Sequence, residues 1–254
     1  MKKRSRRRYR RWLPTLLAWG VVLAVLVGLV RIGISIVQRD GETGFLSGIG
    51  WKKDCPEELL QLYDRNPDAR SFVKHYAEKK GKTFPIDLSE YQNCTTVPLL
   101  MQWDERWGYA SYAGEVFGLS GCGPTCLSMV AIYLKGDTTM DPLWMGEFST
   151  EHGFSYEGEG SLWTLMTEGA AQLGLEAIEI PLEEERIAAN LEAGNPIICV
   201  LGPGDFTTTG HFIVLTGYEN GKIRVNDPNS YRNSEKTWTY EKLKGQIQNL
   251  WVYR

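Results

Sequence analysis

The sequence predicts an α+β domain standing behind one apolar N-terminal segment. Three observations predict it. Helical periodicity dominates the middle of the chain, short strands rich in β-branched and aromatic residues dominate its last third, and Asn220-Gly221 separates two of those strands as a hairpin turn would. Helices first and an antiparallel sheet after them is an α+β order rather than an alternating one.

The N-terminus comes first. Residues 13–30 carry no charge, and 18 helical residues rise about 27 Å, close to a bilayer's apolar thickness. Residues 1–39 hold ten basic side chains and no acidic one, which leaves 18 basic against 31 acidic residues, a net charge of −13, in the rest. Eight of the ten precede the apolar run, an asymmetry that predicts a cytoplasmic basic tail at 1–11, a transmembrane anchor at 12–37 and an extracellular remainder. Gly20, Ala24 and Gly28 are spaced four apart, a pattern that allows weak self-association of the anchor helix. An acidic remainder argues against nucleic acid as a partner, since phosphates need positive surface.

Four glycines between 38 and 53 predict a flexible linker. Leu59, Leu60 and Tyr63, then Phe72, Val73 and Tyr76 beyond an Asn66-Pro67 break, predict a helical extension over 54–96 packed on the domain that follows at 97–254. Within that domain the periodicity predicts helices at 124–134, 162–173 and 182–191, and strands at 196–201, 211–218 and 222–225. On the first helix Cys122, Cys126, Met129, Val130 and Tyr133 share one stripe.

Five cysteines are an odd number for an extracellular chain. Cys55 and Cys94 are candidates for a disulfide, which by the chain-entropy model contributes about 4 kcal/mol. Cys126 and Cys199 sit in apolar surroundings and read as core. With no CxxC and only His75, His152 and His211, no metal site or cofactor is expected.

Cys122 is different. Gly121-Cys122-Gly123-Pro124-Thr125 places it just before a helix, with Pro124 suited to the first helical position, where unpaired N–H groups and the helix dipole favour a thiolate. His211 opens a strand after the loop 202–210, whose Pro203 and missing Lys disfavour phosphate binding and leave the rim of a cleft as its role. A third group should orient the imidazole, and Asn226, Asp227 and Asn229 all lie near the partner strand. A two-residue turn at Asn220-Gly221 pairs residues summing to 441 and puts Asn226 on His211's face. A three-residue turn ending in a bulge at Gly221 makes the sum 440 and puts Asp227 there. The three-residue turn is expected, since its closing bulge suits Gly221, and Asp227 is favoured also because only a carboxylate stabilises imidazolium by charge.

Taken together, Gln102-Trp103-Asp104-Glu105-Arg106-Trp107-Gly108-Tyr109, Ser120-Gly121-Cys122-Gly123-Pro124-Thr125, Gly210-His211-Phe212-Ile213-Val214-Leu215 and Asn226-Asp227-Pro228 resemble the C39-like group of papain-fold cysteine peptidases. The resemblance covers roughly 97–254, and the helical extension is similar to one found in bacterial members. It implies a papain-like fold with Cys122 as nucleophile, His211 as base and Asp227 as orienter. That family's oxyanion glutamine lies a few residues before the cysteine, whereas here Gln102, 20 residues upstream, is the candidate. Trp163 is assigned to core packing rather than to the cleft. The expected activity is peptide-bond hydrolysis of a peptide or protein substrate. The alternatives are a cell-wall peptide hydrolase or amidase, and a non-catalytic surface module that binds peptides.

Overall fold

A computed structural model describes residues 50–254, so the predicted tail, anchor and most of the linker lie outside the described residues. Among the described residues no helix is long and apolar enough to cross a membrane. Trp51–Asp54 forms a 3-10 helix, and Cys55–Arg254 forms one compact unit.

That unit opens with α1 (Glu57–Arg65) and α2 (Arg70–Lys79), joined by a 3-10 turn at Pro67–Ala69. Asn66 ends α1, and its side chain accepts from the Asp68 backbone N–H, capping the turn where Pro67 could not continue a helix. Leu59, Leu62, Phe72 and Val73 are buried. Phe72 stacks on Tyr109 at 4.5 Å and passes so close to Gly118 that a Cβ there would stand 2.6 Å from its ring. Outside the apolar contact, Glu105 takes ion pairs from His75 and Lys79.

α3 (Cys122–Lys135) runs through the centre and α4 (Pro142–Glu151) lies against it. The start of α3 differs from the sequence expectation: Cys122 is its first residue and Pro124 its third. The first four N–H groups of a helix lack intrahelical partners anyway, so proline is tolerated at the third position too. Its stripe also proves too narrow a description, because every residue from 123 to 132 is buried. α4 escaped the sequence reading, although Asp141 caps it by accepting from Leu143 and Trp144 N–H and Pro142 occupies its first turn. The helix expected over 162–173 is broken at Thr167 into a 3-10 turn, Trp163–Met166, and a short helix, Glu168–Gln172. Farther on, α5 is Glu184–Glu192.

A six-stranded antiparallel sheet completes the fold. Its strands are β1 (Ala177–Glu179), β2 (Ile197–Leu201), β3 (His211–Glu219), β4 (Lys222–Asn226), β5 (Thr237–Trp238) and β6 (Ile247–Tyr253), in the order β1-β6-β2-β3-β4-β5. Ile198, Val200, Phe212, Val214 and Trp251 pack towards α3, while Ile197, Cys199, Ile213 and Leu215 pack with Ile187 and Leu191 of α5. Burial on both faces is why β2 reads as an unbroken apolar run. Each such side chain taken from water contributes about 1.5–3 kcal/mol. The observed class is therefore the α+β one expected.

The hairpin corrects the expected turn. Glu219 pairs with Lys222 across a two-residue turn in which Asn220 and Gly221 have φ of 51° and 72°. That is the mirror-image turn whose twist suits a hairpin, and Gly221 adopts it without strain. The extra residue sits instead within β3, at Thr216, between the pairs Leu215–Val225 and Gly217–Arg224. Beyond that bulge Val214 faces Asn226, so the sum near His211 is 440 after all.

Candidate active site

Three elements deliver three side chains to one place. Cys122 stands at the N-terminus of α3, His211 at the first position of β3, and Asp227 just past the end of β4. The bulge at Thr216 matters here, because the register it sets carries Asp227 to the His211 side of the hairpin.

His211 and Asp227 are both buried, and their Nε2 and Oδ1 are 2.8 Å apart. With Nε2 engaged, the other ring nitrogen is left for the Cys122 thiol, which hydrogen-bonds to His211. Asp227 takes two further donors: the Asn229 N–H gives to Oδ1 at 2.9 Å and Asn233 Nδ2 to Oδ2 at 2.8 Å. Its own N–H donates to Ser234 Oγ. Asn226, the other candidate orienter, is engaged elsewhere, since its amide donates to the Val97 and Pro98 carbonyls and ties the start of the domain to the sheet.

The electrostatics follow from these contacts. Crowding around the sulfur raises the Cys122 pKa, yet the hydrogen bond and charge of His211, with the N–H groups of Phe212 and Gly123, bring it below the usual thiol value. Burial lowers the imidazole pKa, but the charge and hydrogen bond of Asp227, helped by Cys122, outweigh it and push His211 up to about 10. Both displacements favour the thiolate–imidazolium pair. Cys126 and Cys199 are pushed the other way by burial alone or chiefly, as core thiols should be.

Gln102 reaches the same cleft and is 3% exposed. Its Nε2 donates to the carbonyls of Gly118 at 2.9 Å and Leu119 at 3.1 Å, and its Oε1 has no partner. The amide nitrogen is thus engaged with the backbone leading into Cys122. Gly123 shows why a side chain is absent beside Cys122, since a Cβ there would lie 2.2 Å from Ser161 Oγ. Ser161 is held in turn by Tyr112 Oη at 2.7 Å.

Two hollows, about 400 and 640 Å³, meet at Cys122 and His211. The loop 204–210 rims the first, held down by Gln246, which accepts from Asp205 N–H and donates to Asp205 Oδ2. Trp163 lines the second and is 45% exposed, packing edge-on against Trp251, so its assignment to the core is corrected. A roomier hollow of about 700 Å³ lies beside Tyr76 and Phe84, away from both Cys122 and His211. All five cysteines are free, so the candidate Cys55–Cys94 bridge is not formed: Cys55 lies beside Tyr76, while Cys94 packs on the main core. Among the described residues no three His, Cys, Asp or Glu side chains converge as metal ligands.

Sequence reasoning missed Asn233, Ser161 and the α1 residues Glu58, Gln61 and Arg65, which line the cleft from outside the main domain. Spacing offered no signal for them, because they reach the site through turns and packing.

The model of the Peptidase_C39 like family matches residues 94–254. No curated protein matches the chain. Among solved structures, a protein from Bacillus anthracis described as a C39-like peptidase is similar at 17% identity and a TM-score of 0.45, covering 66% of this chain and 96% of its own. The peptidase domain of Streptococcus ComA, a bifunctional ABC transporter of a quorum-sensing pathway, is 20% identical with a TM-score of 0.42, covering 52% and 89%. A double glycine motif protease from an AMS/PCAT transporter, solved with its leader peptide, is 20% identical with a TM-score of 0.41, covering 63% and 91%. With most of its described residues matched by that one family model, the chain belongs to the Peptidase_C39 like family.

Proposed function

We propose that this protein is a cysteine peptidase that hydrolyses a peptide bond through Cys122, His211 and Asp227. One observation carries the proposal: a thiol at a helix N-terminus, hydrogen-bonded to an imidazole that a buried carboxylate holds, in a cleft open to solvent. The Cys122 thiolate attacks the amide carbonyl carbon, forming a C–S bond and an oxyanion. The backbone N–H of Cys122 stabilises that oxyanion, with Gln102 Nε2 as second donor on leaving the Leu119 carbonyl, the longer of its two bonds. Collapse breaks the C–N bond as imidazolium His211 protonates the leaving amine. Water, deprotonated by His211, then cleaves the thioester and restores the thiol.

The substrate class is a peptide or protein, and the predicted anchor and charge asymmetry favour one met outside the membrane. Cleavage of labelled casein and release of peptides from purified peptidoglycan, compared between the wild type and Cys122→Ala, tests the proposal. Activity on casein that Cys122→Ala abolishes supports it, and activity confined to peptidoglycan makes the enzyme a cell-wall hydrolase. A wild type inert on both, with a Cys122 no more reactive than a free thiol, makes the domain a binding module.

A further inference from the structure

α1 and the turn after it lie outside residues 94–254, the part matched by the family, yet this part of the helical extension enters the site in two ways. Glu58, Gln61 and Arg65 of α1 form part of the cleft wall, and Arg65 borders both hollows that meet at Cys122. The second entry is through Asn66. This residue is 8% exposed, and its Nδ2 donates to the backbone carbonyl of Asn229 at 2.5 Å, across 163 positions of sequence. Trp103 Nε1 donates to the same carbonyl at 3.0 Å.

Asn229 is not a bystander. Its N–H donates to the very oxygen of Asp227 that faces His211 Nε2. The neighbouring Pro228 carbonyl accepts from the Gln102 N–H at 2.7 Å, so the turn carrying Asp227 is gripped from the domain side as well. A continuous chain of hydrogen bonds therefore runs from Asn66 through Asn229 and Asp227 to His211. Simple docking of the extension needs none of this, since Phe72 and the Glu105 ion pairs already provide it.

We propose that Asn66 is a positioning residue for catalysis, which fastens the Asp227–Asn229 turn so that the carboxylate is aimed at His211, and that the extension thereby completes the active site. The proposal rests on the peptidase reading above. Asn66 acts through Asn229 and touches no reacting atom.

Serine at position 66 separates the two jobs of this side chain. Its hydroxyl can still accept from Asp68 N–H and cap the turn, but it is too short to reach Asn229. The experiment follows alkylation of Cys122 by iodoacetamide in the full-length chain from pH 4 to 11, read at the Cys122 peptide by mass spectrometry. The wild type should show two steps, thiol ionisation at low pH and loss of the His211 proton at high pH. In Asn66→Ser the upper step should fall by about half a unit to one unit, as loss of one aligning hydrogen bond implies. Asn66→Gly, a residue that helix caps also tolerate, likewise removes the Asn66 donor to Asn229, should move the step the same way, and decides the matter if Asn66→Ser does not fold. A purely structural role would lower the melting temperature and leave the upper step in place, and that result overturns the proposal. A single step at the ordinary thiol value in the wild type would instead sink the peptidase reading itself.

Discussion

In Asp227→Asn the side chain keeps its shape and loses its charge. Oδ1 can still accept from His211 Nε2 and the Asn229 N–H, while the new amide meets Asn233 Nδ2, which can turn its own amide to accept. What disappears is the charge that holds the imidazole protonated. A hydrogen bond to a charged group contributes about 1.5–3 kcal/mol against about 0.5–1.5 for a neutral one, and about 1.4 kcal/mol is one pKa unit. The sign is settled by the neighbour: removing a negative charge favours neutral imidazole, so the midpoint must fall. From about 10, His211 should drop by roughly one to two units in the variant. The assay is NMR titration of the His211 ring protons, which only His75 and His152 can overlap. The alkaline limb of hydrolysis should move by the same amount, because imidazolium is the acid that releases the amine. An unmoved midpoint in a folded Asp227→Asn protein would refute the idea that this carboxylate sets the charge state of the pair.

Further outcomes follow from the same geometry. Gly123→Ala forces a methyl to 2.2 Å from Ser161 Oγ, so it should destabilise by about 1–3 kcal/mol, lower the melting temperature, and slow casein cleavage by displacing the Ser161 wall; an unchanged melting curve contradicts it. Gln102→Leu should leave iodoacetamide alkylation of Cys122 near its wild-type rate but reduce kcat/KM by about 100-fold, and a loss under fivefold would remove Gln102 from the oxyanion role. Cys126 and Cys199, both fully buried with raised pKa, should resist iodoacetamide in the native protein while Cys122 reacts first, as peptide mapping can check.

Much of this site is legible in the sequence. Cys122 stood out through its flanking glycines and the helix that follows, and His211 through its place between a glycine-rich loop and a β-branched strand; both signals are local. Asp227 was legible only halfway. The preference for a carboxylate rested on its charge, and the register that supports it was right for the wrong reason, since the bulge lies at Thr216 and the turn closes with two residues. A bulge in mid-strand is chosen by packing on both sheet faces, which a turn motif cannot report. α4 was legible in principle from Asp141-Pro142, whereas the break at Thr167 was not: the Met166 carbonyl beside it accepts from Tyr253 Oη, 87 positions away.

By itself, the chain's order of residues determined the α+β class and singled out Cys122 and His211, the proposed nucleophile and base, because periodicity and helix-end chemistry act over a few residues. Only tertiary structure decided who supports them. Asn233 and Asn229 donate to the carboxylate, Asn66 holds Asn229 from 163 positions away, and Trp163 opens onto the cleft rather than into the core. Asparagine and tryptophan at such positions carry no spacing signal. The asparagine roles arise because a buried carboxylate and the turn that carries it need hydrogen-bond partners, and folding brings the donors.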